Sequence, residues 1–309
     1  MTIVSLLLPF FGVIGLGYFA GIMRWISPEG VGGINAFVIR LAMPCLIIKV
    51  IAESSIADIL NWRFLVAYIS AELIIYAVAL WITLAVFKRS LAEGAILGLA
   101  AAWGNVGYMG IALAASLFDA SDAVPALLAT AADMVVVTGL TIILVEYDRN
   151  AGSLALGRLV GDLSFKLLTH PFIITIILGL FLSFTKIGIP SVLQASVNFI
   201  AGAAGPAALF AIGASLAVRP LKGERSEIIG PIILKLIALP LIFLGFAVLL
   251  ELDRGLLITG LILTALPTAG NVFVIAEQYD SAVQRVSAII LVSTLLSIAS
   301  LIALLAYLL

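Results

Sequence analysis

The chain has 309 residues, 63% of them hydrophobic and only 11% charged, whereas soluble domains carry about 25% charged residues; a soluble fold is excluded. Sixteen Lys and Arg stand against 17 Asp and Glu, so no basic excess draws the chain to nucleic acid, and the charges fall mostly between apolar runs. What remains is an all-α integral membrane protein with the lipid bilayer as its surroundings.

A membrane-crossing helix needs about 20 mostly apolar residues, and ten such runs follow one another. The first, Ile3 to Met23, is preceded only by Met1 and Thr2 and lacks a small-residue cleavage signature, so it is expected to be a true span and not a signal peptide. The second, Gly33 to Ile51, holds Arg40, Pro44 and the single cysteine, Cys45, which has no intrachain partner and is assigned to packing. The third, Phe64 to Phe87, buries Glu72 about two turns in. The fourth, Ala92 to Leu117, contains Gly104-Asn105-Val106-Gly107-Tyr108-Met109-Gly110, and the fifth, Val124 to Val145, carries Asp133 near its middle.

After the longest connection, Glu146 to Lys166, the sixth span runs from Leu167 to Phe184 and includes the only histidine, His170, at an expected interfacial position. With no second histidine and no cysteine cluster, a zinc site is not expected there. The seventh, Val192 to Val218, contains Pro206; the eighth, Ile228 to Leu250, contains Lys235. The ninth, Gly255 to Ala276, reads Leu266-Pro267-Thr268-Ala269-Gly270-Asn271-Val272 in its middle, and the tenth is Val286 to Leu309, with Ser293, Thr294 and Ser297. Trp25, Trp62 and Tyr279 lie at span ends, as in an aromatic belt. No phosphate-binding Gly-Lys motif occurs, so direct ATP coupling and bound cofactors are not expected.

Lys and Arg concentrate on alternate connections. Arg24, Lys88, Arg89, Arg149, Arg158, Lys166, Arg219, Lys222, Arg225 and Arg285 fall on one side, against Lys49, Arg63, Lys186 and Arg254 on the other. By the positive-inside rule both termini are expected on the non-cytoplasmic side of a cell (inner or plasma) membrane.

The long connection also lies near mid-chain, where two halves would join. Pro9, Gly17, Pro28 and Pro44 recur 162 residues later as Pro171, Gly179, Pro190 and Pro206. Gly94, Gly104, Asn105 and Val106 recur 166 residues later as Gly260, Gly270, Asn271 and Val272. The expected organisation is therefore a first repeat over 1–145, a cytoplasmic connection over 146–166 and a second repeat over 167–309. Five spans per repeat is an odd number, so the two repeats are inverted, an arrangement characteristic of alternating-access transporters.

The matched segments of spans four and nine are where chemistry is expected. Gly104, Gly107 and Gly110 disfavour continuous helix, Pro267 removes a backbone donor, and Gly270 permits an unusual backbone angle. Both spans are predicted to break near the bilayer midplane. Broken ends leave unpaired backbone groups that survive only when buried in protein or lining a wet cavity. The N-terminal ends of the second half-helices, with Asn105 and Asn271, can then hold an anion. The alternative is that Gly and Asn merely allow close helix packing.

These residues resemble the auxin efflux carrier family, whose bacterial members include malonate-type dicarboxylate transporters. The resemblance rests on the ten spans, on Gly104 to Gly110, and on Leu266 to Ala276, and it covers essentially the whole chain. It implies a fold similar to bile-acid symporters and sodium/proton antiporters, with spans four and nine crossing at their breaks. Spans one, two, six and seven would be a scaffold, and spans three to five and eight to ten a moving, elevator-like transport domain. It further implies a substrate cavity beside the scaffold prolines, here Pro44 and Pro206. Arg40 departs from the family, where that stretch is usually apolar or aromatic. One turn before Pro44 on the same helical face, it either holds a carboxylate or snorkels to the interface.

Glu72 and Asp133 are intramembrane acids, costly unless functional. They are read either as a relay for a coupling ion, H+ or Na+, or as static supports of the crossover. Lys235, the repeat counterpart of Glu72, is expected to pair with them or to snorkel to the cytoplasmic end. The function expected from all this is secondary transport of a small organic anion by alternating access, by a chain that is not an enzyme; a homodimer is one arrangement it can take. A passive anion channel is the main alternative. An intramembrane hydrolase fits less well, since Asp133 lacks a second aspartate at membrane depth and His170 is peripheral.

Overall fold

A computed structural model describes residues 3–52, 61–117, 123–150, 161, 165, 168–185, 189, 191–217 and 225–308. With no water in hydrocarbon to satisfy backbone groups, a spanning chain must close its own hydrogen bonds, and the regular structure of the described residues is accordingly helical. In chain order the helices are α1 (Ile3–Ile22), α2 (Pro28–Phe37), α3 (Met43–Ala52), α4 (Trp62–Ala85), α5 (Leu91–Ala102), α6 (Ile111–Leu117), α7 (Val124–Ala132), α8 (Thr138–Arg149), α9 (Pro171–Thr185), α10 (Ser191–Ala217), α11 (Arg225–Ile233), α12 (Leu239–Leu249), α13 (Arg254–Thr264), α14 (Asn271–Gln278) and α15 (Val283–Leu308). Widened π-helical turns at Val38–Ala42, Val106–Gly110, Asp133–Val137 and Leu234–Ala238 join or extend several of them.

Among the described residues, six stretches are long and apolar enough to cross a membrane: Pro28–Ile51, Trp62–Ala85, Val124–Arg149, Val192–Ala217, Arg225–Leu249 and Val283–Tyr307. Leu8–Ile22, Leu91–Ala102, Pro171–Thr185 and Arg254–Thr264 are shorter apolar helices. The chain is a multi-pass membrane protein.

Several boundaries differ from those read from hydropathy. The second stretch begins at Pro28, five residues before Gly33, because the Ser27 hydroxyl accepts from the Gly30 N–H at 3.2 Å and Pro28 occupies the first turn, where a missing N–H costs nothing. The fifth continues beyond Val145 to Arg149. Its last turn, Glu146 to Arg149, is charged but still helical, and hydropathy alone cannot see it.

The chain packs as two units. The first comprises 1–61, 107–131 and 168–218; the second comprises 62–106, 132–167 and 219–309. In the first unit α1 lies along α10 and α9 packs on α3. The α1–α10 approach is close enough that a Cβ on Gly17 would come 2.1 Å from the Phe210 carbonyl oxygen, and one on Gly213 1.9 Å from that of Ile14. Only glycine permits that spacing. Ile14 meets Gly213 and Gly21 meets Ala217, so the two helices run parallel.

In the second unit α4 packs on α5 and α12, α5 on α8, α11 on α15, and α12 on α13. A polar collar ties one end of it. Glu227, 2% exposed, accepts from Arg89 Nε at 2.6 Å and from Arg285 Nη1 at 3.0 Å, and Arg285 also pairs with Glu93. Arg149 donates to the Tyr279 carbonyl and lies over its ring, while Asp148 accepts from the Ala92 N–H at 3.0 Å. Tyr279 is therefore buried in this collar and not part of an interfacial aromatic belt.

Candidate functional site

Helix stops at two places in the second unit, and the two stops meet. Helix α5 ends at Ala102, and Trp103 turns extended at φ −72°, ψ 112°. Helix α13 ends at Thr264. The segments that follow pair through an isolated antiparallel bridge between Gly104 and Thr268: the Asn105 N–H donates to the Pro267 carbonyl at 2.8 Å and the Ala269 N–H to the Trp103 carbonyl at 3.0 Å. Chain resumes as the π turn at Val106 on one side and as α14 at Asn271 on the other. Pro267, lacking an N–H, can accept here but not donate, which suits it to this position.

Each stop leaves carbonyls without intrahelical donors, and the surrounding side chains supply them. Thr268 Oγ1 donates to the Ala100 carbonyl at 2.8 Å. Lys235 Nζ donates to Ala102 O at 3.1 Å and to Thr264 O at 3.2 Å, so one ammonium closes the C-terminal ends of both half-helices, where the helix dipoles favour a cation. Ser293 Oγ accepts from the Thr268 N–H at 3.2 Å. Gly104 leaves room for the ammonium: a Cβ there would sit 2.9 Å from Lys235 Nζ and 3.2 Å from the Leu263 carbonyl oxygen. Snorkelling of Lys235 to the cytoplasmic end is thereby overturned: the side chain is fully buried, because two orphaned carbonyls hold its ammonium at the breaks.

Beside Lys235 lie the intramembrane acids. Glu72 and Asp133 are both fully buried, Tyr68 Oη donates to Asp133 Oδ2 at 3.4 Å, and Glu72 is within electrostatic reach of Asp133 and Lys235. Both Glu72 carboxyl oxygens and Asp133 Oδ1 lack a hydrogen-bond partner. Two carboxyl groups at close quarters with one ammonium leave one negative charge uncompensated, an expensive state in a low-dielectric interior unless a proton or another cation joins them.

Asn105 is 4% exposed and its Oδ1 has no partner. Asn271 is half-buried at the first position of α14, next to Gly270, which offers no side-chain cap. An unsatisfied amide oxygen thus stands where one helix restarts, at Asn105, and a second asparagine, Asn271, opens the other.

Arg40, Pro44 and Pro206 fall in the first unit. Arg40 is exposed, in the π turn at Val38–Ala42; Pro44 is half-buried in α3, and Pro206 is exposed within α10, which continues through it. A signal in the sequence explains two of the π turns. Pro44 and Pro240 each stand two residues beyond one, at Val38–Ala42 and Leu234–Ala238, and a proline's missing N–H and ring clash disrupt the preceding turn in this way. Arg40 and Lys235 sit in those two turns, and Asp133 opens a third; such turns recur at functional sites.

Comparison with known proteins agrees over nearly the whole chain. A family model described as "Membrane transport protein" matches residues 2–305. A Rhizobium meliloti protein named "Putative malonate transporter" is 34% identical over 303 residues, covering 96% of this chain and 93% of the relative. "Uncharacterized transporter YfdV" of Escherichia coli is 26% identical, covering 94% and 92%. An "Uncharacterized transporter" of Methanothermobacter thermautotrophicus is 27% identical, covering 93% and 92%.

Proposed function

Because the chain belongs to the membrane transport protein family, that of the auxin efflux carriers, we propose that it is a secondary transporter that moves a small carboxylate by alternating access and binds it where the two broken helices meet. The family is one of transporters, which sets aside the intramembrane hydrolase. The observation that carries the reading is the placement of two asparagines, Asn105 and Asn271, at two helix restarts whose preceding backbones are bridged to each other. Donor amides and the positive ends of half-helices suit an anion. The name of the Rhizobium relative makes malonate the first ligand to test.

In this reading the chain has ten spans as two inverted five-helix repeats, and the crossing of spans four and nine is their shared feature. Support comes from packing. Exchanging the halves carries the α1–α10 pair (spans one and seven) onto the α9–α3 pair (six and two), and both pairs are in contact. Likewise α4–α5 corresponds to α12–α13, and both of these pack together. Spans one, two, six and seven serve as scaffold and spans three to five and eight to ten as the moving transport domain, in a cell membrane with both termini outside. Glu72 and Asp133 take the coupling ion, H+ or Na+, and Lys235 relays their charge state to the crossover, since it contacts both breaks.

Arg40, with Pro44 and Pro206, is carried in this reading as a carboxylate-binding residue of the first unit. Arg40→Gln should weaken binding of a dicarboxylate more than that of a matched monocarboxylate, and Arg40→Lys should restore only part, since a point charge does not reproduce the guanidinium fork. Calorimetry on the three proteins decides it; equal losses for the two ligands, or none, remove Arg40 from binding. The reading as a whole is tested by screening purified protein for thermal stabilisation by mono- and dicarboxylates and indole acids, because a ligand of the folded state raises the unfolding midpoint. Stabilisation by a short dicarboxylate is the expected outcome, and no response to any carboxylate contradicts it.

A further inference from the structure

Glu72 lies near the middle of α4, Asp133 opens the π turn at Asp133–Val137, and α4 packs on that turn as well as on the one that carries Lys235. All three side chains belong to the second unit and are fully buried. The two carboxyl groups are within hydrogen-bonding reach of each other, and one donor is at hand. Tyr68 Oη gives its single proton to Asp133 Oδ2 at 3.4 Å, which leaves both Glu72 oxygens and Asp133 Oδ1 with none. The hydroxyls of α15 add nothing, because Ser293, Thr294 and Ser297 donate to carbonyls of their own helix.

The surrounding elements bring no further charge to this point. Among those packed on α4, α5 carries Glu93 and α11 carries Glu227, both paired with arginine in the collar, and Arg225 stands at the start of α11. Helix α12 is uncharged, and α13 has only Arg254, at its start. Helices α8 and α15 meet the two π turns; α8 carries Glu146, Asp148 and Arg149 in its last turn, and α15 carries Arg285 in its first. Helix α4 itself adds Arg63 at its beginning and Tyr76, which lies against the Thr141 hydroxyl. Two ionised carboxylates set oxygen to oxygen repel strongly at low dielectric. A single proton turns the same contact into a hydrogen bond, one carboxyl donating to the other, and brings the cluster with Lys235 to zero net charge. A metal cation fits less well. Na+ takes a shell of oxygens, to which the C-terminal ends of broken helices contribute. Here those ends, Ala102 O and Thr264 O, are already bound by the Lys235 ammonium.

We infer that Glu72 and Asp133 hold one proton between them and that this shared proton is the ion coupled to transport. The inference rests on the transporter reading above and deepens it by choosing H+ over Na+. Release gives the proton to water and leaves two carboxylates facing one ammonium. The second carboxylate then competes with Ala102 O and Thr264 O for Lys235, which loosens its hold on both breaks, where that reading places the anion. Proton and anion therefore favour each other's binding, because linkage is reciprocal, and they travel in the same direction.

The experiment is uptake of labelled malonate into proteoliposomes with the membrane potential clamped at zero. A gradient from about pH 7 outside to about pH 8 inside keeps malonate almost wholly dianionic on both sides, so the proton cannot ride on the substrate. One proton per malonate then concentrates it inside about tenfold, the equivalent of about 1.4 kcal/mol, whereas an inward Na+ gradient at equal pH does not concentrate it. Glu72→Gln and Asp133→Asn each keep the size and a donor of the protonated acid, and each should abolish the pH-driven accumulation. Such accumulation in either variant, or accumulation driven by Na+ in the wild type, overturns the shared proton. Unfolding midpoints are measured alongside, and the wild-type gradients decide alone if a variant does not fold. Saturable counterflow that neither gradient drives makes the two acids static supports and ends this inference while the carrier stands. Absence of counterflow in the wild type ends the carrier reading and this inference with it.

Discussion

Lys235→Met should destabilise the protein more than any other single substitution at the crossover. The methionine fills a similar space but donates nothing, so Ala102 O and Thr264 O lose the ammonium that closes both broken helices. It also strips Glu72 and Asp133 of the nearby cation while they remain fully buried. Removing one partner of a buried charge pair costs about 3–5 kcal/mol. The expected readout is a large drop in the thermal unfolding midpoint in detergent and loss of transport. Adding Glu72→Gln to Lys235→Met should recover part of the stability, because it removes one of the two acids left without a cation but not the two orphaned carbonyls. An unchanged midpoint in Lys235→Met would show that the ammonium does not hold the crossover.

Asn105→Ala and Asn271→Ala should do the opposite, abolishing most transport while leaving the fold intact. Asn105 Oδ1 is buried without a partner, so truncation deletes an unsatisfied polar atom and not an internal hydrogen bond. Its midpoint should stay near that of the wild type or rise slightly. Binding, in contrast, loses a donor to a charged ligand, about 1.5–3 kcal/mol and so at least about a tenfold weaker Kd for malonate. Wild-type uptake by either purified variant would remove that asparagine from the site.

The breaks in spans four and nine were legible because Gly104 disfavours helix and Pro267 removes a backbone donor, although Gly270 keeps ordinary helical angles, φ −60° and ψ −28°, and not the unusual angle expected of it; the buried acids were legible because charge in an apolar run is costly. The destination of Lys235 was not. A lysine about two turns into an apolar helix reads the same whether it snorkels or is buried, and what decides is tertiary: the gap at Gly104 and the free carbonyls at Ala102 and Thr264. Pro44 and Pro240 do mark two of the π turns, but nothing comparable marks Asp133–Val137, where the widened turn has no proline after it. The sequence places Arg149 and Arg285 on the more positive side but does not show their partners, Tyr279, Glu93 and Glu227. Such partners lie from 58 to 192 residues away along the chain, beyond any local pattern.

Carrier against channel is the distinction on which the proposed function stands, and counterflow in proteoliposomes measures it. Vesicles loaded with unlabelled malonate and placed in trace labelled malonate should accumulate label transiently above equilibrium, with a saturable initial rate, and Asn105→Ala should abolish both. A linear, non-saturating flux with no overshoot would contradict alternating access and leave a passive anion channel in its place.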